Sequence, residues 1–371
     1  MFVVGVSHYD SLPQRAQDPV SDETFGLRQL ESAATSAVEF ARWMRDEYRQ
    51  PEAPLKEIWM LLSPSARERR KLADDEKEAP PATRDEVRAA LDDWRAACEA
   101  DRDGIAVFYA SGHGIVLGPH EGGIVLLEDF AADPNRRMER TLSMVDARAG
   151  LSGPEAAKRQ YWFLDACQPL PEQRGGIDLQ SAGVPGWDRY LHEQTDVSAV
   201  YMSATTGTNA YGDPGHGTIF SKALAECLSL RAVGLGDPDG WVVTDTALGR
   251  RLRERVAELA RERQGDQTAA FGGRPGEIPF HVLDEPPQLD VTFAVEPPNA
   301  GDFAFGTLTP GAGSAVFERQ PLRAPLTRKV AAGQYIVKVA IDPATDPFLD
   351  TELPCIVAPN RSDRIEVAVV R

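Results

Sequence analysis

The chain has 371 residues, of which 42 % are hydrophobic and 26 % are charged, a composition typical of a folded protein with room for one large and one smaller domain. Its formal net charge of −17 argues against a nucleic-acid-binding surface, because a polyanion would be repelled. No apolar run approaches the roughly 18 residues of a membrane span, and the first residues lack a basic leader. We therefore expect a cytoplasmic protein without nucleic-acid or membrane partners.

Strands and helices alternate over the first 265 or so residues. Apolar runs predict the strands, and apolar residues at helical spacing predict the helices. Between them, the charged stretch Arg67–Ala82 is typical of an exposed loop. In chain order the main elements are a strand at Phe2–Val6, a helix at Thr24–Tyr48, a strand at Glu57–Leu62, a helix from Thr83 to about Ala100, a strand at Ile105–Ala110, a short run at Gly123–Leu127, a helix at Thr141–Gly150, a strand at Tyr161–Leu164, a strand at Ser198–Met202 and helices at Thr218–Leu230 and Thr244–Arg263. This alternation indicates a mostly parallel sheet with helices on both faces.

The pattern changes after Pro286-Pro287, where short apolar strands are separated by Pro and Gly turns. Such spacing is typical of a small all-β sandwich. We therefore predict two domains, an α/β domain over residues 1–282 and a β-sandwich over residues 287–371.

The four cysteines, Cys98, Cys167, Cys227 and Cys355, lie far apart and form no C-x-x-C pair. This spacing is typical of neither a zinc site nor a disulfide framework. It fits a reducing compartment.

Two apolar strands end in residues that can do chemistry. Val107–Ala110 leads into Ser-Gly-His113-Gly, and Tyr161–Leu164 leads into Asp-Ala-Cys167. Taken singly, the cysteine reads as a small core residue and the histidine as part of a turn. Together, at the carboxyl ends of two parallel strands, they would meet at one sheet edge, where a base beside a thiol permits covalent attack on a carbonyl.

The glycines beside the histidine suggest two further features. Gly112 and Gly114 leave room for a substrate and for close approach of backbone. The N–H groups of Gly114 and Cys167 together would form an oxyanion hole for a tetrahedral intermediate.

These motifs resemble the caspase family in its broad sense, which includes metacaspases and bacterial caspase-like cysteine peptidases. In that family a strand ends in His-Gly and a second strand, about 50 residues later, ends in Cys. The first strand and helix, Tyr201–Thr206 and Gly215–Leu224 also agree, so the resemblance covers about residues 1–282. It implies a caspase-like α/β/α sandwich, with Cys167 as nucleophile and His113 as general base and acid.

The resemblance also implies a substrate pocket made by Asp165, Ser36 and Ser203. Asp165 stands where animal caspases have Gln and metacaspases have an Asp that binds substrate Arg or Lys. Ser36 stands where metacaspases have a second Asp, and Ser203 lies after the strand that follows the nucleophile. Caspases themselves bind substrate Asp through arginines, so the preference stays open between Arg/Lys and Asp. The alternative for Asp165 is a carboxylate that only accepts hydrogen bonds from the turn beneath it.

The segment after Cys167 is long and rich in Gly and Pro, and it lies where family members are often cut. Arg174-Gly175-Gly176 is a candidate processing site, and the alternative is an uncut, solvated loop. We expect no cofactor and no metal ligation by His. Calcium dependence, common among metacaspases, stays open because Glu128, Asp129 and Asp133 do not have the spacing of a known calcium loop.

The predicted function is limited proteolysis of protein substrates by a His/Cys dyad, after Arg or Lys, in a regulated intracellular pathway such as stress or defence signalling. The alternative is a catalytically silent scaffold that keeps the fold and binds protein partners. The C-terminal β domain would recruit a regulatory partner or cover the peptidase.

Overall fold

The computed structural model describes residues 1–15, 17–115, 123–133, 135–167, 184–185, 187–188, 190, 194–205, 211–213, 215–236, 240–311, 313–342, 348–359 and 364–369. The helices of at least one α-helical turn are α1 (Ala33–Asp46), α2 (Ala66–Arg69), α3 (Asp74–Lys77), α4 (Arg84–Ala100), α5 (Met144–Gly150), α6 (Ile219–Glu226) and α7 (Asp245–Glu262). The strands are β1 (Phe2–Val6), β2 (Trp59–Ser63), β3 (Ile105–Gly112), β4 (Gly114–Ile115), β5 (Ile124–Leu126), β6 (Thr141–Ser143), β7 (Arg159–Ala166), β8 (Val197–Met202), β9 (Val233–Gly236), β10 (Gly240–Thr244), β11 (Ala270–Arg274), β12 (Pro279–Leu283), β13 (Gln288–Glu296), β14 (Ala304–Pro310), β15 (Phe317–Pro321), β16 (Leu326–Ala331), β17 (Gly333–Ile341), β18 (Thr351–Val357) and β19 (Arg364–Ala368).

The contacts between residues divide the described chain into two compact units. The first comprises Met1–Cys227 and Asp245–His281, and the second comprises Leu228–Thr244 and Val282–Arg371. The segment Leu228–Thr244, which contains the hairpin β9–β10, therefore groups with the C-terminal residues, whereas the sequence placed it in the α/β domain.

A six-stranded sheet forms the centre of the first unit, with the strand order β11-β8-β7-β3-β1-β2. Every pairing is parallel except that of β11 with β8 at one edge. The predicted α/β class with a mostly parallel central sheet is confirmed. Because β3 and β7 are neighbours in this sheet, the ends of the two motif-bearing strands lie side by side.

Helices cover both faces of this sheet. Consecutive residues of a strand point to opposite faces, and Phe108 and Tyr109 are consecutive in β3. Trp94 of α4 packs against Phe108, with ring centroids 5.9 Å apart, while Phe40 of α1 packs against Tyr109 at 4.8 Å. The two helices therefore lie on opposite faces, which gives the α/β/α layering.

The second unit contains two β-sheets that share one apolar core. One sheet has the order β16-β13-β19 and the other the order β15-β14-β17-β18. Phe293 of β13 and Phe317 of β15 meet in this core, with ring centroids 5.1 Å apart. The all-β sheets predicted for the C-terminal residues are therefore present, as a three-stranded and a four-stranded layer.

The helix predicted at Thr24–Tyr48 is shorter in the structure, because α1 begins only at Ala33. Residues 25–32 are not helical, and the Leu30 N–H donates to the Ser7 carbonyl at 2.9 Å instead of to a helical partner.

Two further predicted elements differ from the structure. Arg67–Ala82, predicted as an exposed loop, contains the short helices α2 and α3, and the side chains of Glu68 and Glu76 are buried. Hydrogen bonds explain this, because Glu68 accepts from the Thr35 amide and Glu76 forms a two-point pair with Arg42. Thr141–Gly150, predicted as one helix, begins as strand β6 and becomes helical only at Met144.

Among the described residues, no helix is both long enough and apolar enough to cross a membrane.

Gly5 of β1 lies where α1 packs closely against the sheet. A Cβ atom at Gly5 would be 2.7 Å from the Ala37 Cβ and 2.9 Å from the Ala34 Cα. We expect Gly5→Ala to lower the free energy of unfolding by about 1–3 kcal/mol, because the helix must move away from the strand. Urea denaturation measures the change. Gly272→Ala in β11 is the control, since a Cβ there meets nothing within 4 Å. Equal stabilities of the two variants would contradict this account of the packing.

Candidate active site

The register of β3 and β7 brings the two motifs together. Ser111 lies opposite Asp165, and Gly112 lies opposite Ala166. The residues that follow each pair leave the sheet at the same edge. His113, Asp165 and the half-buried Cys167 line one cleft of about 420 Å³, as the sequence motifs predict.

Glycine is required at both positions beside the histidine because the chain is crowded there. A Cβ at Gly114 would lie 2.5 Å from the Cys167 carbonyl oxygen and 2.8 Å from the Ala166 Cβ. A Cβ at Gly112 would lie 2.9 Å from the Tyr9 hydroxyl. Gly114 is buried next to the end of β7 and is not among the described residues that line the cleft, so the oxyanion-hole role of the Gly114 and Cys167 N–H groups stays a prediction.

The His113 ring is held through one nitrogen. Its Nε2 is 2.6 Å from the backbone carbonyl oxygen of Arg28. A carbonyl oxygen only accepts hydrogen bonds, so Nε2 carries the proton in the neutral ring and Nδ1 is left with the lone pair of a base. Burial lowers the pKa of His113, against a smaller opposite effect of the Arg28 carbonyl, and therefore favours the neutral, basic form at neutral pH.

Asp165 is a buried carboxylate with two unlike oxygens. Its Oδ2 accepts hydrogen bonds from the hydroxyls of Tyr109 (2.9 Å), Ser111 (3.3 Å) and Thr218 (2.6 Å). Its Oδ1 is buried and has no hydrogen-bond partner among the described residues. Burial raises the pKa of Asp165 to about 6, and the three hydroxyl donors limit the rise. The carboxylate is therefore ionised at neutral pH, with one oxygen left to accept a donor from a ligand.

Ser36 and Ser203 lie behind the cleft surface rather than on it. Ser36 is fully buried, donates to the Ser32 carbonyl at 2.9 Å and accepts from the Thr218 amide at 2.9 Å. It thus supports Thr218, which in turn donates to Asp165. Ser203 is also fully buried and donates to the Ala166 carbonyl at 3.0 Å, which fixes the main chain just before the cysteine. Neither serine is among the described residues that line the cleft, so their predicted role in the substrate pocket stays a prediction.

Several residues that form hydrogen bonds with His113 or Asp165 were not among the residues predicted from the sequence. Tyr109 and Ser111 could have been found, because they alternate along β3 and Ser111 pairs with Asp165 in the parallel register. Tyr9 lies in a loop far away in sequence, and the Arg28 carbonyl lies in a segment whose apolar spacing predicts a helix, so the sequence marks neither contact with His113. Thr218 is the N-cap of α6, and this capping role is all that its sequence position indicates.

The remaining site predictions lie elsewhere. Arg174, the candidate processing residue, falls outside the described residues. Of the acids considered for calcium, Asp129 pairs with Arg140, and Glu128 accepts from the Ser63 hydroxyl at 2.6 Å.

One group of possible metal ligands exists among the described residues. His8, Asp10 and Glu128 each offer an atom within 4.8 Å of the others. Acidic groups at a protein surface often gather in this way without an ion, so the group carries no metal assignment.

A family model described as a caspase domain matches residues 3–271, which is well over half of the chain. The chain belongs to the caspase family. It is therefore a relative of cysteine peptidases, hydrolases that act on protein substrates. No curated protein matches the sequence. Among solved structures, caspase-1 from Spodoptera frugiperda is similar at 12 % identity, over 76 % of this chain and 89 % of that chain, with a TM-score of 0.41.

The raised pKa of Asp165 predicts a pH-dependent cost to the stability of the fold. Because the folded pKa lies above the ordinary value of 3.8, the contribution of Asp165 to stability is most favourable below pH 3.8 and is lost as pH rises through about 6. Relative to Asp165→Asn, the wild type should lose about 2 kcal/mol of unfolding free energy between pH 4.5 and pH 7.5, since each pKa unit is worth about 1.36 kcal/mol. Urea denaturation at both pH values measures this. A difference between the two proteins that does not vary with pH would refute the buried-charge account.

Proposed function

We propose that this caspase-family chain is a cysteine endopeptidase that cleaves protein substrates after Arg or Lys, with Cys167 as nucleophile and His113 as general base and acid. The observation that carries the proposal is the Oδ1 atom of Asp165, a buried carboxylate oxygen two residues before the nucleophile, in the same cleft and without a hydrogen-bond partner among the described residues. Burial of a carboxylate with an unpaired oxygen costs free energy, and hydrogen bonds from a bound guanidinium or ammonium group would offset that cost.

The proposed reaction uses the dyad in two steps. His113 Nδ1 takes the proton of the Cys167 thiol, and the Sγ atom forms a bond to the scissile carbonyl carbon. The resulting oxyanion is stabilised by the N–H groups of Gly114 and Cys167, and the carbon–nitrogen bond breaks as His113 donates its proton to the leaving amine. Water then attacks the thioester, which releases the new carboxylate and restores the thiol.

The preference for a basic residue follows from the position of charges in the cleft. Asp165 is 2 % exposed and lies at the end of β7. Two arginines, Arg15 and Arg28, also line the cleft, but both are exposed. A buried charge interacts more strongly than one in solvent, so the carboxylate favours a basic side chain next to the scissile bond. Glu31 supplies a further carboxylate to the cleft, although it pairs with Arg67 at 3.4 Å.

Removing each dyad member tests the chemistry. We expect the wild-type protein to hydrolyse fluorogenic peptides and both Cys167→Ala and His113→Ala to fall to background. Cys167→Ala has no thiol to attack the carbonyl, and His113→Ala has no base to deprotonate the thiol. Steady-state hydrolysis measures the loss. Cys98→Ala, a change at a buried cysteine on α4, is the control and should retain activity. Hydrolysis that persists in Cys167→Ala would refute the proposed nucleophile. An inactive wild type that still binds protein partners would favour the scaffold alternative.

Substitution of Asp165 tests the preference. With peptides that differ only in Arg, Lys, Asp or Ala before the scissile bond, we expect the Arg and Lys peptides to be cleaved fastest. Asp165→Asn should lower kcat/KM for these two by at least about thirtyfold, since loss of one partner from a buried charge pair costs about 2 kcal/mol or more. Asp245→Asn, at a fully buried carboxylate whose oxygens accept from the Thr246 and Gly276 amides, is the control and should keep the ranking.

The pH dependence of the same assay provides a further check. Protonation of Asp165 below about pH 6 removes the charge that attracts the substrate, so KM for the Arg peptide should rise as pH falls through about 6. KM for the Ala peptide should show no such rise. Faster cleavage of the Asp peptide than of the Arg peptide would assign specificity to the exposed arginines instead. Cleavage at Arg174, a regulatory partner for the C-terminal unit and the intracellular pathway stay predictions from the sequence.

A further inference from the structure

His113 lies between two strands, because Gly112 ends β3 and Gly114 begins β4. The glycines on both sides of His113 have no side chains to limit their backbone angles. A general base must nevertheless lie within hydrogen-bond reach of the group it deprotonates. Backbone pairing holds the His113 carbonyl, which accepts from the Leu126 N–H at 2.9 Å, so the His113 N–H is the main-chain group that needs a partner from elsewhere.

Tyr9, just after β1, contacts His113 in two ways. The backbone N–H of His113 donates a hydrogen bond of 2.7 Å to the Tyr9 hydroxyl, and the hydroxyl donates its own proton to the Val6 carbonyl at 3.1 Å. The Tyr9 and His113 rings also pack together, with centroids 5.2 Å apart. Tyr9 is fully buried, so these bonds do not compete with solvent.

Gly112 is adapted to the same contact. A Cβ atom at Gly112 would lie 2.9 Å from the Tyr9 hydroxyl, closer than real Cβ contacts allow. The absence of a side chain at position 112 therefore lets the hydroxyl reach the next peptide group, that of His113.

Gln29 connects Tyr9 to the other restraint on His113. Its side-chain amide makes two hydrogen bonds with the Tyr9 backbone, accepting from the N–H at 2.8 Å and donating to the carbonyl at 2.7 Å. Gln29 follows Arg28, whose carbonyl binds the His113 ring at Nε2. The segment that fixes the ring and the residue that fixes the main chain are thus bonded to each other.

We propose that Tyr9 is a positioning residue for His113: its hydroxyl fixes the histidine main chain while its backbone, through Gln29, is tied to the segment whose carbonyl fixes the ring. The inference rests on the proposed function, because it assigns Tyr9 a role in a reaction that uses His113 as base. It differs from that proposal in predicting an effect on turnover from a residue that does not line the cleft.

Removing only the hydroxyl tests this role. In Tyr9→Phe the ring contact remains, but the His113 N–H is left buried without its acceptor. We expect kcat for the preferred peptide to fall about tenfold or more while KM stays within about twofold, because a small displacement of the base affects the chemical step more than substrate binding. Tyr201→Phe is the matched control, since it removes a fully buried hydroxyl that donates to the Asp245 carbonyl at 3.0 Å and should leave kcat within about twofold.

A second readout does not depend on turnover. The amide proton resonance of His113, recorded by NMR on the inactive Cys167→Ala chain, should move upfield when Tyr9→Phe is added and should not move when Tyr201→Phe is added. Both the fall in kcat and the resonance shift are required. A kcat within twofold of wild type, an effect confined to KM, or an unmoved resonance would each overturn the inference.

A substitute variant and the two dyad variants separate failure of the Tyr9 role from failure of the proposed function. If Tyr9→Phe does not fold, Gln29→Ala takes its place, with the same expected fall in kcat and the same upfield shift of the His113 amide resonance; KM is not a criterion for this variant, because Gln29 itself lines the cleft. If Cys167→Ala and His113→Ala retain hydrolysis, the proposed function itself fails. If they lose hydrolysis and Tyr9→Phe does not lower kcat, the role of Tyr9 alone fails.

Discussion

The parallel pairing of β3 with β7 is the constraint on which the candidate site depends. It sets Ser111 beside Asp165, so that a hydroxyl reaches the carboxylate and the following residues of both strands emerge together. A slip of one residue would turn every side chain of a strand to the other face of the sheet. Apolar packing resists such a slip, because Phe108 and Trp162 also pair across the two strands, with ring centroids 5.1 Å apart. The hydrophobic core therefore determines where the polar groups of the cleft lie.

The two glycines of the His motif illustrate how tightly this edge is built. From the sequence they suggest space for a substrate and for close approach of backbone, and in the structure each makes room for a neighbouring part of the protein. Gly112 accommodates the Tyr9 hydroxyl, and Gly114 accommodates the end of β7 at Cys167. An added methyl group at Gly114 would push His113 away from the end of β7, whereas one at Gly112 would push against Tyr9 and Val6.

Much of the fold could be predicted because burial leaves a strong pattern in the sequence. The uninterrupted apolar runs of β1, β3 and β7 correspond to strands buried on both faces, and the alternation of strands with helices indicates a parallel sheet. The motifs also predict that His113 and Cys167 lie at one edge. Contacts that depend on hydrogen bonds rather than on apolar pattern could not be predicted in this way. The buried Glu68 accepts hydrogen bonds from donors in other segments, which the local sequence around it does not reveal. The Arg28 carbonyl is a main-chain atom, so no pattern of side chains predicts its contact with His113.

The cleft draws its walls from parts of the chain that are far apart in sequence, from Pro13 and Arg28 through Ser111 and Asp165 to Thr218. A nascent chain that ends before Thr218 has the cysteine and the histidine but not the hydroxyl that donates to Asp165 at 2.6 Å. Synthesis runs from the amino terminus, so this wall is added only after both members of the dyad have been made. A nascent chain that has not yet reached Thr218 therefore lacks part of the cleft, and the order of translation completes the cleft only when the start of α6 has been made.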